Sequence, residues 1–154
     1  MVLNWQDLHH RELNTTQLYE LLALRNAVFV VEQQCPYLDA DGADLSGDNR
    51  HVLGVLDGKL VAYARILAPT AGNQPVKIGR VIIANDVRGQ KLGYQLMAQA
   101  IGSCERYWPQ HIQFLSAQSH LQAFYAQLGF VAVSDVYLED GIPHIDMQRN
   151  SVSL

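Results

Sequence analysis

The sequence predicts a mixed α/β sheet folded as one domain spanning residues 1–154. Three observations lead there. Two Asp-Gly pairs, Asp57-Gly58 and Asp140-Gly141, each lie between apolar β-type runs, the strongest short-range sign of a hairpin. A further strand-like run, "VKIGRVII", is followed at once by a glycine turn and a helical pattern. The length is enough to bury roughly two thirds of the unfolded surface in one core.

The elements follow in chain order. Thr15 or Thr16 suits a helix cap, and Leu18, Leu21, Leu22, Arg25, Val28 and Phe29 then fall near helical spacing. A polar, turn-rich stretch runs from Pro36 to Asn49. "HVLGVL" and "KLVAYARILA" form the first hairpin around Asp57-Gly58, and "APTAGNQP" is a loop before the strand "VKIGRVII". A helix is expected from Gln90 to about Tyr107, with Leu92, Leu96, Met97, Ala100, Ile101 and Cys104 on one face. "IQFLSA" is a short strand, and "HLQAFYAQLGF" a short helix ended at Gly129. "VAVSDVYLEDGIPHIDMQR" makes the second hairpin. The predicted order is helix, three strands, helix, strand, helix, two strands.

Composition narrows the function classes. Apolar residues make up 49% and charged residues 17%, ordinary for a packed domain. The net charge of −4 argues against a nucleic-acid partner, whose affinity comes mainly from phosphate neutralisation. No apolar run approaches the ~20 residues that span a bilayer, so no membrane partner is expected. Asp7, Arg11 and Glu12 break up the start, which does not read as a leader. The two cysteines, Cys35 and Cys104, are far apart and form neither a disulfide framework nor a metal pattern. The expectation is a soluble cytoplasmic protein.

One stretch carries chemistry. After "VIIAND", the turn "RGQKLG", Arg88 to Gly93, opens a helix. A helix N-terminus leaves its first N–H groups unpaired and bears partial positive charge. Glycine lets a phosphate come close to the backbone, and Arg88 and Lys91 add formal charge. Gly93 sits in the first helical turn, where Ala would be favoured by ~1 kcal/mol, so something approaches it closely. The residues alone leave two readings open: an anion cradle, or a plain turn with Gly93 packed against the sheet. The P-loop pattern fails because Tyr94-Gln95 follow Gly93, and the dinucleotide pattern G-x-G-x-x-G is absent.

"RGQKLG" resembles the acetyl-CoA loop of the GNAT N-acetyltransferases, R/Q-x-x-G-x-G/A, at Arg88 and Gly93; Lys91 stands where the inner glycine is usual. "AQSHLQAFYAQLGF" resembles the family's N-x-x-A-x-x-x-Y-x-x-x-G-F segment at Tyr125 and Gly129-Phe130, with Gln118 for Asn and Leu121 for Ala. "LRNAVFVVEQQCPYLDADGAD" and "EDGIPHIDM" are similar to the ElaA-type subgroup. The resemblance covers most of the chain. It implies one mixed, mostly antiparallel sheet with a splayed central strand pair and helices on both faces. It also implies acetyl transfer from acetyl-CoA directly to a primary amine in a ternary complex, with no metal.

Residue by residue, the resemblance places the CoA pyrophosphate on the backbone of Gly89, Gln90, Lys91, Leu92, Gly93 and Tyr94, beside Arg88. It places pantetheine along the main chain of Val81, Ile82 and Ile83, with Gln118 on the cofactor side. A backbone N–H on that strand would polarise the thioester carbonyl. Tyr125 matches the general acid. A phenol with pKa near ~10 is protonated at neutral pH and suits donation to a leaving thiolate. The attacking amine must lose a proton, and two candidate bases stand out: His144, which titrates in the useful range, and Glu32 at the end of the first helix. The departures at Lys91, Gln118 and Leu121 support an alternative, a non-catalytic acyl-CoA-binding or partner-docking module. An unrelated nucleotide binder is a third reading, disfavoured by the absent nucleotide patterns.

The remaining features read as structural. Asp39, Asp41, Asp44 and Asp48 fail the EF-hand pattern and are expected on a solvated loop. His9 and His10 are adjacent and do not converge on one metal. Cys35 and Cys104 are expected to be small buried residues.

Overall fold

The computed structural model describes residues 3–150. Its elements are β1 (Leu3–His9), α1 (Thr15–Arg25), β2 (Arg50–Leu56), β3 (Lys59–Leu67), β4 (Val76–Ile83), α2 (Leu92–Tyr107), β5 (Gln113–Gln118), α3 (Gln122–Gln127), β6 (Val131–Ala132), β7 (Tyr137–Glu139) and β8 (Ile142–Arg149). The eight strands form one sheet in the order β1-β2-β3-β4-β5-β8-β6, with β7 also paired to β8. All pairings are antiparallel except β4 with β5.

Strand alternation sorts the sheet into two buried faces. On one, Ala62, Ala64 and Ile66 of β3, Leu115 and Ala117 of β5, and Ile145 and Met147 of β8 pack with Leu96, Met97, Ala100 and Cys104 of α2. On the other, Leu53, Tyr63 and Ile82 pack with Leu21 and Val28 of the first helical segment. Helices therefore cover both faces. Each Asp-Gly turn has positive φ at both positions, 50° and 81° at Asp57-Gly58 and 52° and 76° at Asp140-Gly141. That backbone follows the twist of the flanking strands.

Several predicted boundaries move. The sheet begins with β1, which the sequence reading assigned to no element; all seven of its residues pair with β2. Its charged Asp7, which breaks the apolar pattern, accepts a hydrogen bond from Arg50 Nε at 2.9 Å. The cap of α1 is Asn14 rather than Thr15 or Thr16. Asn14 Oδ1 accepts from the Gln17 amide at 2.7 Å, and the Asn14 amide donates back to Gln17 Oε1 at 3.0 Å, a reciprocal capping box. Helix α2 starts at Leu92, not Gln90, because Lys91 sits ahead of it with left-handed backbone, φ 61°. The last segment is two short strands, β6 and β7, both bordering β8, rather than one arm of a simple hairpin.

The acidic stretch is not a solvated loop. Asp39 and Asp44 are buried and close a network with three arginines from separate elements. Arg25, fully buried on α1, donates to Asp39 Oδ2 at 2.9 Å and to Asp44 Oδ1 at 2.5 Å. Arg65 of β3 donates to Asp41 at 2.8 and 2.9 Å and to Asp44 at 3.0 Å. Arg80 of β4 donates to Asp39 and Asp41. His51 Nε2–H donates to the Asp44 carbonyl at 2.8 Å, so its Nδ1 accepts from the Tyr63 hydroxyl. Asp48 meets the expectation, lying open beside His9, and Asp41 is exposed as well although Arg65 and Arg80 hold it.

This network sets an acid limit on stability. Burial by itself would raise the Asp41 pKa, but hydrogen bonds from Arg65 and the Ala43 amide and the charges of Arg65 and Arg80 bring it from 3.8 down to about 2. Asp44 is lowered likewise, against the effect of its burial, chiefly by Arg25. A carboxylate with a depressed folded pKa stabilises above its unfolded pKa and loses that contribution as pH falls through the folded one. Urea midpoints are expected to fall steeply between about pH 4 and pH 2, and Asp41→Asn to flatten that slope. An unchanged slope in the variant would remove Asp41 from the account.

Candidate active site

Strands β4 and β5 are paired only at Val76↔Gln113 and Lys77↔Phe114. Beyond that seam they diverge and open a cleft of about 650 Å³. It is lined by β4 from Lys77 to Ile83, by β5 and by Phe124 and Tyr125 of α3. Helix α1 runs on past Arg25 as a π-helical turn, Asn26–Glu32, a winding often found at functional sites. That turn brings Val28, Phe29 and Glu32 to the cleft. The far rim is the β7–β8 turn, with Glu139, Asp140 and His144.

Nine of the sequence-predicted residues line this cleft: Val81, Ile82, Ile83, Arg88, Gly93, Gln118, Tyr125, His144 and Glu32. The others do not. Gly89, Gln90 and Lys91 lie exposed at the rim. The Leu92 side chain is buried with Val61, Ala84 and Val87. The Tyr94 ring lies against Phe124, its hydroxyl donating to Gln127 Oε1 at 2.5 Å.

A Cβ on Gly93 would meet the Phe124 ring at 3.3 Å, so α3 itself presses on this glycine. Lys91, at φ 61°, occupies backbone that glycine adopts freely and other residues at roughly 1–2 kcal/mol. The usual inner glycine of the loop motif therefore answers a conformational demand that Lys91 meets under strain.

Tyr125 is 5% exposed on α3. Phe124 and Phe130 meet it edge-on, with ring centres 5.0 and 6.1 Å away. Burial alone pushes its phenol up to about 12. His144 Nδ1–H donates to the Ile142 carbonyl at 2.7 Å, which leaves the lone pair of a neutral ring on Nε2. That Nε2 lies 3.7 Å from Glu139 Oε2. Glu32 differs: its carboxylate takes both arms of Arg88, at 2.5 and 3.1 Å. The hydrogen bond and charge of Arg88 hold its pKa below the ordinary value.

The two cysteines differ in exposure. Cys104 is buried, its thiol pushed up to about 12 by burial. Cys35 is only partly buried; it lines the cleft and its thiol reaches the Asp140 carbonyl at 3.7 Å. Among the described residues no three His, Cys, Asp or Glu side chains gather around a possible metal position. No helix among them is long and apolar enough to cross a membrane.

The sequence pointed to none of Arg80, Phe124, Glu139 or Tyr37 as site residues. Arg80 offered no local signal, since its partners Asp39 and Asp41 are remote in sequence, whereas Glu139 meets His144 across the nearby β7–β8 turn. Phe124 was legible as the neighbour of Tyr125 on a short helix.

A seam that splays into a cleft, with a glycine turn opening a helix at one end and a buried tyrosine on the wall, is the architecture of acyl-CoA-dependent transferases of the GNAT type. The chain belongs to that family: the model of the acetyltransferase (GNAT) domain matches residues 23–151. It is 56% identical to Protein ElaA of Escherichia coli over 98% of this chain and 99% of that one. The crystal structure of E. coli ElaA superposes with a TM-score of 0.94, covering 97% of this chain and all of that one. An acyl-CoA N-acyltransferase from Pseudomonas aeruginosa, 52% identical, superposes with a TM-score of 0.92 over 96% of this chain and 99% of that one.

Proposed function

We propose that the chain transfers an acetyl group from acetyl-CoA directly to a primary amine, in the cytoplasm, with both substrates bound at once. The observation that carries this reading is the buried Tyr125 among the residues lining a cleft along β4, where that strand has lost its pairing with β5. CoA would lie with its pyrophosphate at the Arg88–Tyr94 turn and its pantetheine along Val81, Ile82 and Ile83. Tyr125 would donate to the sulfur as the amine displaces it. At a pKa of about 12 the phenol is a weak acid beside a free thiol of roughly 8.5. The leaving sulfur is desolvated in the same cleft, which raises its own pKa and brings the two together.

His144 is the better of the two candidate bases. In the neutral ring its Nε2 carries the free lone pair, and the residue lines the cleft. Glu32 is committed to Arg88 and its lowered pKa makes it a poor proton acceptor.

Lys91 is assigned to the pyrophosphate as a compensating charge. Lys91→Gly relieves roughly 1–2 kcal/mol of left-handed strain and gives back roughly 0.5–1 in chain entropy, so stability should hold or rise slightly. CoA affinity by calorimetry should drop about threefold at low salt, an effect that shrinks as salt rises. Affinity that stays level or improves would remove the charge from the argument.

The function itself is tested by acetyl-CoA consumption against polyamines, amino acids, aminoglycosides and lysine or N-terminal peptides. Turnover with any acceptor, lost in Tyr125→Phe, supports the enzyme. CoA binding with no turnover across that panel would leave the binding-module alternative standing.

A further inference from the structure

Ala64 of β3 faces two residues of β4. The register passes from Tyr63↔Ile82 to Arg65↔Gly79, which leaves Arg80 and Val81 together opposite a single position. This is a β-bulge, and it lies on the part of β4 that lines the cleft, just past the seam with β5. Its first residue, Arg80, has φ 50°. Glycine fills such a position most easily, yet an arginine occupies it.

Two of the three guanidinium nitrogens of Arg80 are engaged. Its Nε donates to Asp39 Oδ1 at 2.9 Å, and its Nη2 to the Asp39 carbonyl at 3.1 Å and to Asp41 Oδ2 at 3.3 Å. The guanidinium carbon lies 5.6 Å from the centre of the Tyr37 ring. Neither acid is free to follow Arg80, because Asp39 is held by buried Arg25 and Asp41 by Arg65. A rigid set of contacts thus runs from α1 and β3, through the acidic loop, to one strained backbone position in the cleft. Tying the loop to the sheet needs no left-handed donor; a side chain on regular extended backbone would serve. Fixing the bulge does need a side chain at that residue.

We propose that Asp39 and Asp41 are positioning residues which, acting through Arg80, hold the β4 bulge in the backbone conformation that sets the main chain of β4 against the acyl group. This rests on the acetyl-transfer reading above. It gives the acidic loop a part in the reaction although its carboxylates touch neither substrate.

The test compares Arg80→Ala, Arg80→Gly and Asp41→Asn, alone and combined, with an acceptor that the wild type acetylates. Both Arg80 variants lose the tether, but only glycine takes the left-handed backbone without strain. Arg80→Ala is expected to lower kcat about tenfold with the acetyl-CoA KM within about twofold, and Arg80→Gly to stay within about threefold of wild type. Asp41→Asn is expected to cost about fivefold in kcat in the wild-type background and nothing further beside Arg80→Gly. Equal losses in Arg80→Ala and Arg80→Gly, or an Asp41→Asn loss that persists beside Arg80→Gly, would overturn the proposal. Amide hydrogen exchange across Gly79–Ile82 supplies a reading independent of turnover. Asp41→Asn should speed it by about tenfold, and unchanged exchange overturns the proposal even if the wild type acetylates none of the acceptors. That last result alone, no wild-type turnover, counts against the acetyl-transfer reading instead.

Discussion

Tyr125→Phe is expected to lower kcat by about 10²–10⁴-fold, the range for a lost general acid, and to leave CoA affinity nearly unchanged. The substitution removes one oxygen from a ring otherwise packed between Phe124 and Phe130, so the fold should tolerate it. Burial is the only influence that shifts this phenol; its protonation is therefore governed by the cleft rather than by a charged neighbour. With a pKa of about 12, it stays protonated across any practical assay range. The alkaline limb of the kcat profile should accordingly not come from Tyr125. Steady-state rates paired with calorimetry of CoA check both halves, and full turnover in the variant would end the assignment.

Arg25→Met is expected to be the most damaging change outside the cleft. Arg25 has no exposed surface and faces Asp39 and Asp44, both buried. Burial would lower its pKa, but Asp44, Tyr63 and Asp39 together hold it above the ordinary arginine value. Removing it leaves each buried carboxylate one arginine short, Asp39 keeping Arg80 and Asp44 keeping Arg65, at a cost of about 3 kcal/mol, the low end for a broken buried pair, against a total stability of roughly 5–15 kcal/mol. The melting temperature should fall by about 10 °C. Adding Asp44→Asn should recover part of that loss, since one stranded charge disappears. A double variant no more stable than the single one would show that packing, not charge, makes Arg25 necessary.

The two Asp-Gly turns and the motif pair around Arg88 and Tyr125 were legible because each is local. An Asp-Gly turn or a helix-opening glycine announces itself within a few residues. What stayed hidden was non-local. Strand β1 exists because seven residues pair with β2 across a gap of some forty positions, not because its own pattern is strongly apolar. The acidic stretch looked solvated because its partners, Arg25, Arg65 and Arg80, come from three other elements. The bulge at Arg80 left no mark on a sequence that reads as an ordinary apolar strand. Gly93 was recognised as a point of close approach, but Phe124 presses on it before any ligand does.

The seam between β4 and β5 has a consequence for how the molecule comes apart. Two antiparallel halves of the sheet, the β1–β4 meander and the strands β5 to β8 gathered around β8, meet through just two residue pairs, bridged on one face by α2. Within each half the long strands pair with their antiparallel neighbours along most of their length. The halves are therefore natural cooperative units, and separating them exposes the α2 interface before either unravels. A cosubstrate seated in the splay touches both halves and opposes that separation in proportion to its concentration over Kd. Saturating CoA should slow exchange in α2 and at the seam more than at the sheet's outer edges.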